Sequence, residues 1–586
     1  MRSRQGFVTQ PITALGAIVV VSVAIRIIYF VQLAPTPFLH LERWAQSDMH
    51  YYDAWARQIA DGDWLSRTVP MPMHRWHHEV AQQFFADHPD ERAAFDAAAA
   101  RAGGRVDADT LVWSRWMRVP VFYQDPLYPY LVAATYRLTG ADARHVFAWQ
   151  LAIGVLANVL IWSLARRYFG DAVGACAGAM AVLFGPLVFY EMLLLRDSLI
   201  AFTGLLLVWL TDRALRARSW RRDAVLGFAL GMACLLKSTF VLVAATIVTA
   251  VLFSLWRHRQ PLRVPALAMT AGLMIALAPA IVRNVLVGAA PLSLASSGPM
   301  TFVAANEADA RPEMGFGIDR TELATFLGRT SGGWGAALAT AFEEHDAGSY
   351  LGLVWRKFDR SWHWFEIPNN ESFYYMRLQA PILAWLPVTF WSCAPLALVG
   401  LGLGWRRNPD AWPLYVLVAA TIVSMVIFYT LGRFRISLAM AAIPFAALTL
   451  VELWRWARDG RIVSTLAAVG AVALLAAWTG RALAADQLEI RTADWILAYS
   501  AFYQDKVYGA LDRKAWSEGA RWYVEFFDRY EPAPAQILAS RDPRLAPELA
   551  DMHRECAQIL KAAGETAGAE AQLDRANRIL ALRPFP

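Results

Sequence analysis

Within the stretch QSDMHYYDAWARQIADGDW, residues 46–64, two carboxylates (Asp48, Asp53), an imidazole (His50) and two phenols (Tyr51, Tyr52) fall inside six positions. Asp48 and Tyr52 are four apart and share one face of a helix, while Tyr51 and Trp55 share another. A carboxylate beside a bound phosphate suits a general base that takes a proton from an attacking hydroxyl. An Asp at this place would also cap a helix starting at Met49. Spacing leaves both roles open.

A second set stands out by where it falls. Arg196 (LLLRDSL), Lys237 (CLLKSTF), Arg283 (IVRNVLVG), Arg433 and Arg435 (YTLGRFRISL) lie at the ends of apolar runs. Ionisable groups in or beside membrane spans are costly and point to a function. Drawn from separate helix ends, they are expected to line one cationic pocket suited to a lipid phosphate, with Arg supplying a fork and Lys a compact charge. The competing reading is snorkelling to headgroups, or pairing with nearby acids such as Glu191 and Asp197. In HRWHHE, His74 and His78 at i, i+4 would hold a metal if helical; a solvated loop is the favoured reading, and no metal is assigned. No P-loop, dinucleotide fingerprint or nucleophile elbow occurs, so no nucleotide cofactor and no nucleic-acid partner is expected.

The elements that must position these residues are membrane spans. With 57% hydrophobic and 18% charged residues over 586 positions, too little polar surface exists for a soluble chain of this size. Runs of about twenty apolar residues, enough for roughly 30 Å of hydrocarbon, lie near 12–34, 145–165, 172–190, 195–212, 265–287, 380–404, 411–431, 434–453 and 462–484. The stretch 223–256 divides at Lys237 into two more. The fold class read from this is an all-α polytopic membrane protein of about eleven transmembrane helices. The N-terminal run is expected to be a retained span, and PLYPYLVAATYRLT (126–139) an interfacial segment. The four cysteines are scattered and imply neither a disulfide framework nor a metal site.

With a cytoplasmic N-terminus, the connections ARRYFG, DRALRARSWRRD, WRHRQPLR, WRRNPD and WRWARDGR all fall inside, and all are Arg-rich. The polar segments 35–143 and 288–379 then share the outer side with the tail. In a bacterium this is the periplasmic face of the inner membrane. Residues 1–485 read as a membrane domain and 486–586 as a soluble helical tail. In that tail, LADMHRECAQILKAAGETAGAEAQLDRANRILALRPFP resembles a tetratricopeptide unit, with a degenerate one at 505–535.

In order and topology the fragments resemble the GT-C superfamily of membrane glycosyltransferases, in particular bacterial members of glycosyltransferase family 39, related to protein O-mannosyltransferases and aminoarabinose transferases. The resemblance runs through Asp48, Tyr52, Ala56, Gly62 and Asp63, then QDPLYPYL with Asp125 and Tyr128, and FYEMLLLRDSL with Glu191 and Arg196. It continues through Pro279, Arg283, Asn284, Gly298 and Asn306, then WRKFDRSWHWFEIPNNESFYYMR and GRFRISLAMAAIP. Lys237 stands where relatives often carry Arg. The insert between Trp64 and Tyr123 is longer than the resemblance leads one to expect.

The resemblance implies an undecaprenyl-phosphate-linked sugar donor and an acceptor hydroxyl on a lipid, glycan or protein. It implies inversion at the anomeric carbon with Asp48 as base. Arg196, Lys237, Arg283, Arg433 and Arg435 would hold the phosphate, with Tyr51, Tyr52, Asp53, Asp125, Tyr128, Glu191 and Asn306 around the substrate. It implies no metal, although other branches use one. Membrane lipids are the surroundings, and the tail is the place for a protein partner. A lipid-linked-glycan flippase and a polyprenyl-phosphate-binding scaffold are the readings from other classes.

Overall fold

The computed structural model describes residues 11–45, 47–104, 106–308, 310–313, 320–330, 333–343, 345–483, 502–539 and 545–582. Among them the regular structure is helical, with two isolated β-bridges. Eight helices are long and apolar enough to cross a membrane: Thr13–Leu33, Ala143–Phe169, Asp197–Arg216, Phe240–Arg257, Arg263–Val287, Pro409–Ile427, Gly432–Arg458 and Ile462–Thr479. The chain is an all-α, multi-pass membrane protein.

The three remaining expected spans are helices too, but shorter or less apolar: Asp171–Val182, Trp220–Leu236 and Phe390–Arg407. The run expected over 172–190 stops at Val182 and restarts as Gly185–Tyr190. Pro186 lies at the start of this second piece, where a missing N–H breaks no intrahelical bond. The run over 380–404 begins late because Pro381 and Pro387 interrupt it, and Thr389 with Ser392 caps a helix that starts at Phe390.

Gly432–Arg458 is the axis of the bundle, with 89% of its most apolar window buried. It packs against Phe390–Arg407, Asp171–Val182, Asp197–Arg216 and Trp412–Ile427. Trp220–Leu236 and Arg263–Val287 cross at Gly227 and Gly272. A Cβ on Gly227 would overlap the Met269 carbonyl, and one on Gly272 the Ala224 carbonyl. Small residues that let backbones touch are how helices associate where lipid removes the hydrophobic drive.

On the polar segment 35–143, Asp48–Ala60 packs on Leu127–Thr139. The insert folds as Arg75–Asp87, Pro89–Arg101 and Ala108–Trp116, and the first of these packs on Arg320–Thr330 from the other polar segment. The tail has a core of its own, including Tyr523, Phe526, Leu549 and Cys556. Its helices Leu545–Ala562 and Thr566–Ala581 lie against each other across a turn in which Gly564 takes a left-handed φ of 85°.

Candidate functional site

Asp48 opens the helix Asp48–Ala60, but the cap is Ser47, whose Oγ accepts the His50 N–H at 3.1 Å. The Asp48 carboxylate is therefore free of the capping role left open above. Its Oδ2 lies 2.9 Å from Arg433 Nη1 and accepts the Asn370 Nδ2–H at 3.0 Å. Asn370 Oδ1 in turn accepts the Asp48 backbone N–H at 2.7 Å. Asn370 makes this double grip from a left-handed φ of 68°, a conformation Asn tolerates better than most residues. Burial alone would raise the Asp48 carboxyl. The Arg433 guanidinium, the Asn370 amide and nearby His74 outweigh it and hold the group below its ordinary value.

Arg433 also lines a cavity of about 470 Å³, together with Arg196, Lys237, Asp125, Asp197, Tyr52 and Gln124. Three expected cations thus meet in one space. Arg196 Nη1 donates to Asp125 Oδ2 at 2.8 Å and to the Leu236 carbonyl at 3.0 Å, and its Nη2 to Gln124 Oε1 at 3.3 Å. Asp125 Oδ1 accepts the Ser238 N–H at 3.0 Å, which ties the turn bearing Lys237 to the same cluster. Lys237 Nζ sits 4.0 Å over the Phe434 ring, with no ion-pair partner within 4 Å among the described residues. Lys237 lies in the turn between Trp220–Leu236 and Phe240–Arg257. Desolvation, opposed by Asp197 and Asp125 and reinforced by Arg196 and Arg433, lowers its ammonium to about 8. Burial pushes the Tyr429 phenol on the cavity wall up to about 12, so it is a donor at neutral pH.

The cavity has a narrow extension of about 40 Å³ that shares Asp197, Lys237, Arg433 and Phe434 with it. It runs between Phe240–Arg257 and Trp412–Ile427 along Ile200, Val243, Leu417 and Met425. The combined space has a charged head and an apolar slot.

Other expected residues lie elsewhere. Arg283 spends its donors on the carbonyls of Leu65 (2.7 Å), Pro120 (2.7 Å) and Ser66 (2.5 Å), with its guanidinium over the Phe122 ring. It fastens the insert to the end of its span and does not line the cavity. Arg435 is fully buried against Glu366 (2.8 Å) and the carbonyls of His363 and Phe365. Two residues apart on a helix, Arg433 and Arg435 point to opposite sides. Asn306 bonds the Phe302 and Ile427 carbonyls and accepts from the buried Lys357, so it bolts Gly298–Asn306 to a span.

Asp53 is held by Arg57 and the Tyr136 hydroxyl, and Glu191 is paired with Arg26 at 2.5 Å. Tyr51 packs on Trp55 and Tyr123, and Tyr128 donates to Gln150. None of these four lines the cavity. His74 precedes the helix Arg75–Asp87 and is not paired with His78. His78 instead meets Asp109 at 2.9 Å, and His78, Asp107 and Asp109 place possible ligand atoms within 4.8 Å of one another.

Sequence reasoning missed Gln124, Asp197 and Asn370 as site residues. Asp197 was legible only as a partner for Arg196. Asn370 lies in PNNES, 322 positions from Asp48, and no spacing connects them.

Residues 120–282 match the family model of dolichyl-phosphate-mannose-protein mannosyltransferases. No curated protein matches the chain. Among solved structures, ArnT from Cupriavidus metallidurans bound to undecaprenyl phosphate is similar at 15% identity over 97% of this chain and 76% of that one, with a TM-score of 0.39. Its apo state gives 14%, 92%, 81% and 0.38. The archaeal oligosaccharyltransferase AglB from Archaeoglobus fulgidus, in complex with an inhibitory peptide and a dolichol-phosphate, gives 16% identity over 72% of this chain and 55% of that one, with a TM-score of 0.34.

Proposed function

We propose that the chain is a glycosyltransferase that moves a sugar from a polyprenyl-phosphate donor to an acceptor hydroxyl at the outer membrane face, with inversion. One observation carries the reading: a cavity lined by Arg196, Lys237 and Arg433 continues into an apolar slot between two spans. A phosphate head would meet the three cations, and an attached apolar chain would leave past Ile200, Val243, Leu417 and Met425, where the slot marks a direction toward the bilayer. The family match supports it, since residues 120–282 include Gln124, Asp125, Arg196 and Lys237.

In this reading the acceptor oxygen attacks the anomeric carbon opposite the phosphate. Asp48 takes its proton, and the sugar–phosphate bond breaks to release polyprenyl phosphate. Charge growing on the leaving phosphate is met by fixed cations that need no reorganisation, commonly the largest contribution to catalysis. Arg433 is shared: it pairs with Asp48 and faces the cavity. A donor phosphate that draws on Arg433 loosens its hold on Asp48, so the carboxylate becomes a stronger base as the donor binds. Arg283 and Arg435 take no part. In a bacterium the site faces the periplasm, undecaprenyl phosphate is the carrier, and the tail shares that side.

The test uses purified wild type and Asp48→Asn with a panel of undecaprenyl-phosphate sugars and membrane extract as acceptor source. Release of undecaprenyl phosphate by wild type alone is the expected result. Equal release by both would remove Asp48 as base. Binding without release would favour a scaffold or a transporter.

A further inference from the structure

Arg196 ends a run, residues 191–196, that is buried almost throughout and turns irregularly between the helices Gly185–Tyr190 and Asp197–Arg216. Peptide groups in such a run need partners, because no water reaches them in a membrane interior. Gln150, fully buried on the span Ala143–Phe169, supplies two: its Nε2 donates to the Glu191 carbonyl at 2.8 Å and the Leu193 carbonyl at 2.9 Å. Its Oε1 accepts the Tyr128 hydroxyl at 2.8 Å.

From Tyr128 the contacts lead back to the cavity. The Tyr128 ring stands edge-on to Tyr52 with centroids 5.1 Å apart, and the Tyr52 hydroxyl donates to Gln124 Oε1 at 2.5 Å. The same Gln124 oxygen accepts Arg196 Nη2 at 3.3 Å. The circuit closes on Arg196 from both ends, through its backbone by way of Leu193 and through its guanidinium by way of Gln124. One turn along from Gln150, Gly154 completes the cradle. A Cβ there would overlap Glu191 Oε1, which pairs with Arg26.

We propose that Gln150 is a positioning residue for Arg196: it does not line the cavity, but sets where the guanidinium stands in it. The inference rests on reading that cavity as a lipid-phosphate site. Replacing Gln150 by Leu removes the side-chain donor from the Glu191 carbonyl and the acceptor from the Tyr128 hydroxyl, and leaves the Leu193 carbonyl with the Leu195 N–H (2.7 Å) alone. The run leading to Arg196 then relaxes, and the phosphate loses a well-placed fork.

The experiment measures undecaprenyl phosphate affinity on the full chain in nanodiscs, by calorimetry. Arg196→Ala and Gln150→Leu are each expected to weaken binding about tenfold, in the range of coupled neighbours. Gln150→Leu added to Arg196→Ala should cost nothing more, whereas added to Arg433→Ala its effect should multiply in full. General loss of fold would not couple to one arginine and spare the other. Tyr128→Phe keeps the ring, removes one hydroxyl and carries the same cycle if Gln150→Leu does not fold. Wild-type affinity in Gln150→Leu, or an effect that multiplies with Arg196→Ala, overturns the inference. Wild type that binds no undecaprenyl phosphate overturns the lipid-phosphate reading and this inference with it.

Discussion

Arg433 Nη1 stands 2.9 Å from Asp48 Oδ2, and of the two only the arginine lines the cavity. The pair couples phosphate binding to the state of the base. Arg433→Gln removes the main force holding the Asp48 carboxyl down. A depressed carboxyl stays ionised as pH falls until its own lowered value is reached, so this substitution should move the acid limb of kcat/KM to higher pH. A pH–rate profile checks it; an unmoved limb would mean that another group sets it.

For Asp48→Asn, turnover should fall by about 10²–10⁴-fold, the range for loss of a general base. Undecaprenyl phosphate affinity should hold or rise, because Arg433 is no longer shared with a carboxylate. Turnover and calorimetric binding on one preparation separate the two effects.

Lys237 gives a second pH signature. Asp197, Asp125, Arg196 and Arg433 surround it, and desolvation lowers it to about 8. An anion binds the protonated form, so lipid-phosphate affinity should be full below pH 8 and decline as pH rises through it. Lys237→Arg should flatten that decline, since a guanidinium stays charged there. Affinity measured between pH 6 and 10 decides the matter, and a flat wild-type curve would exclude Lys237 from phosphate binding.

Arg435 should behave as a structural residue. Arg435→Gln leaves Glu366 buried without its cation, a loss of about 3–5 kcal/mol for a broken buried pair. Thermal unfolding should report this loss. A folded Arg435→Gln variant with wild-type melting and weakened phosphate binding would reverse the assignment.

At the Gly227–Gly272 crossing, Gly227→Val should cost about 1–3 kcal/mol, as overpacking usually does, by forcing two helices apart. The melting temperature should drop while an equally apolar exposed change, such as Val225→Leu, has little effect.

Apolar run length and the Arg-rich connections, both local properties of the chain, were enough to read a polytopic helical protein and the division at Lys237. Pro186, Pro381 and Pro387 are equally local, and they shorten two of the apolar runs to the helices Asp171–Val182 and Phe390–Arg407. The cationic cluster was legible in part because charge at a span end is anomalous wherever the chain folds. Which cations share a space was not legible. Arg433 and Arg435 differ by two positions and opposite helix faces, and Arg283 meets carbonyls more than 160 residues away. Those pairings depend on how helices cross, which run length does not encode. The same holds for Asn370 on Asp48 and for Gln150 on the run before Arg196. Each is a hydrogen bond between distant segments, made only after packing has excluded water and left those polar groups no other partner.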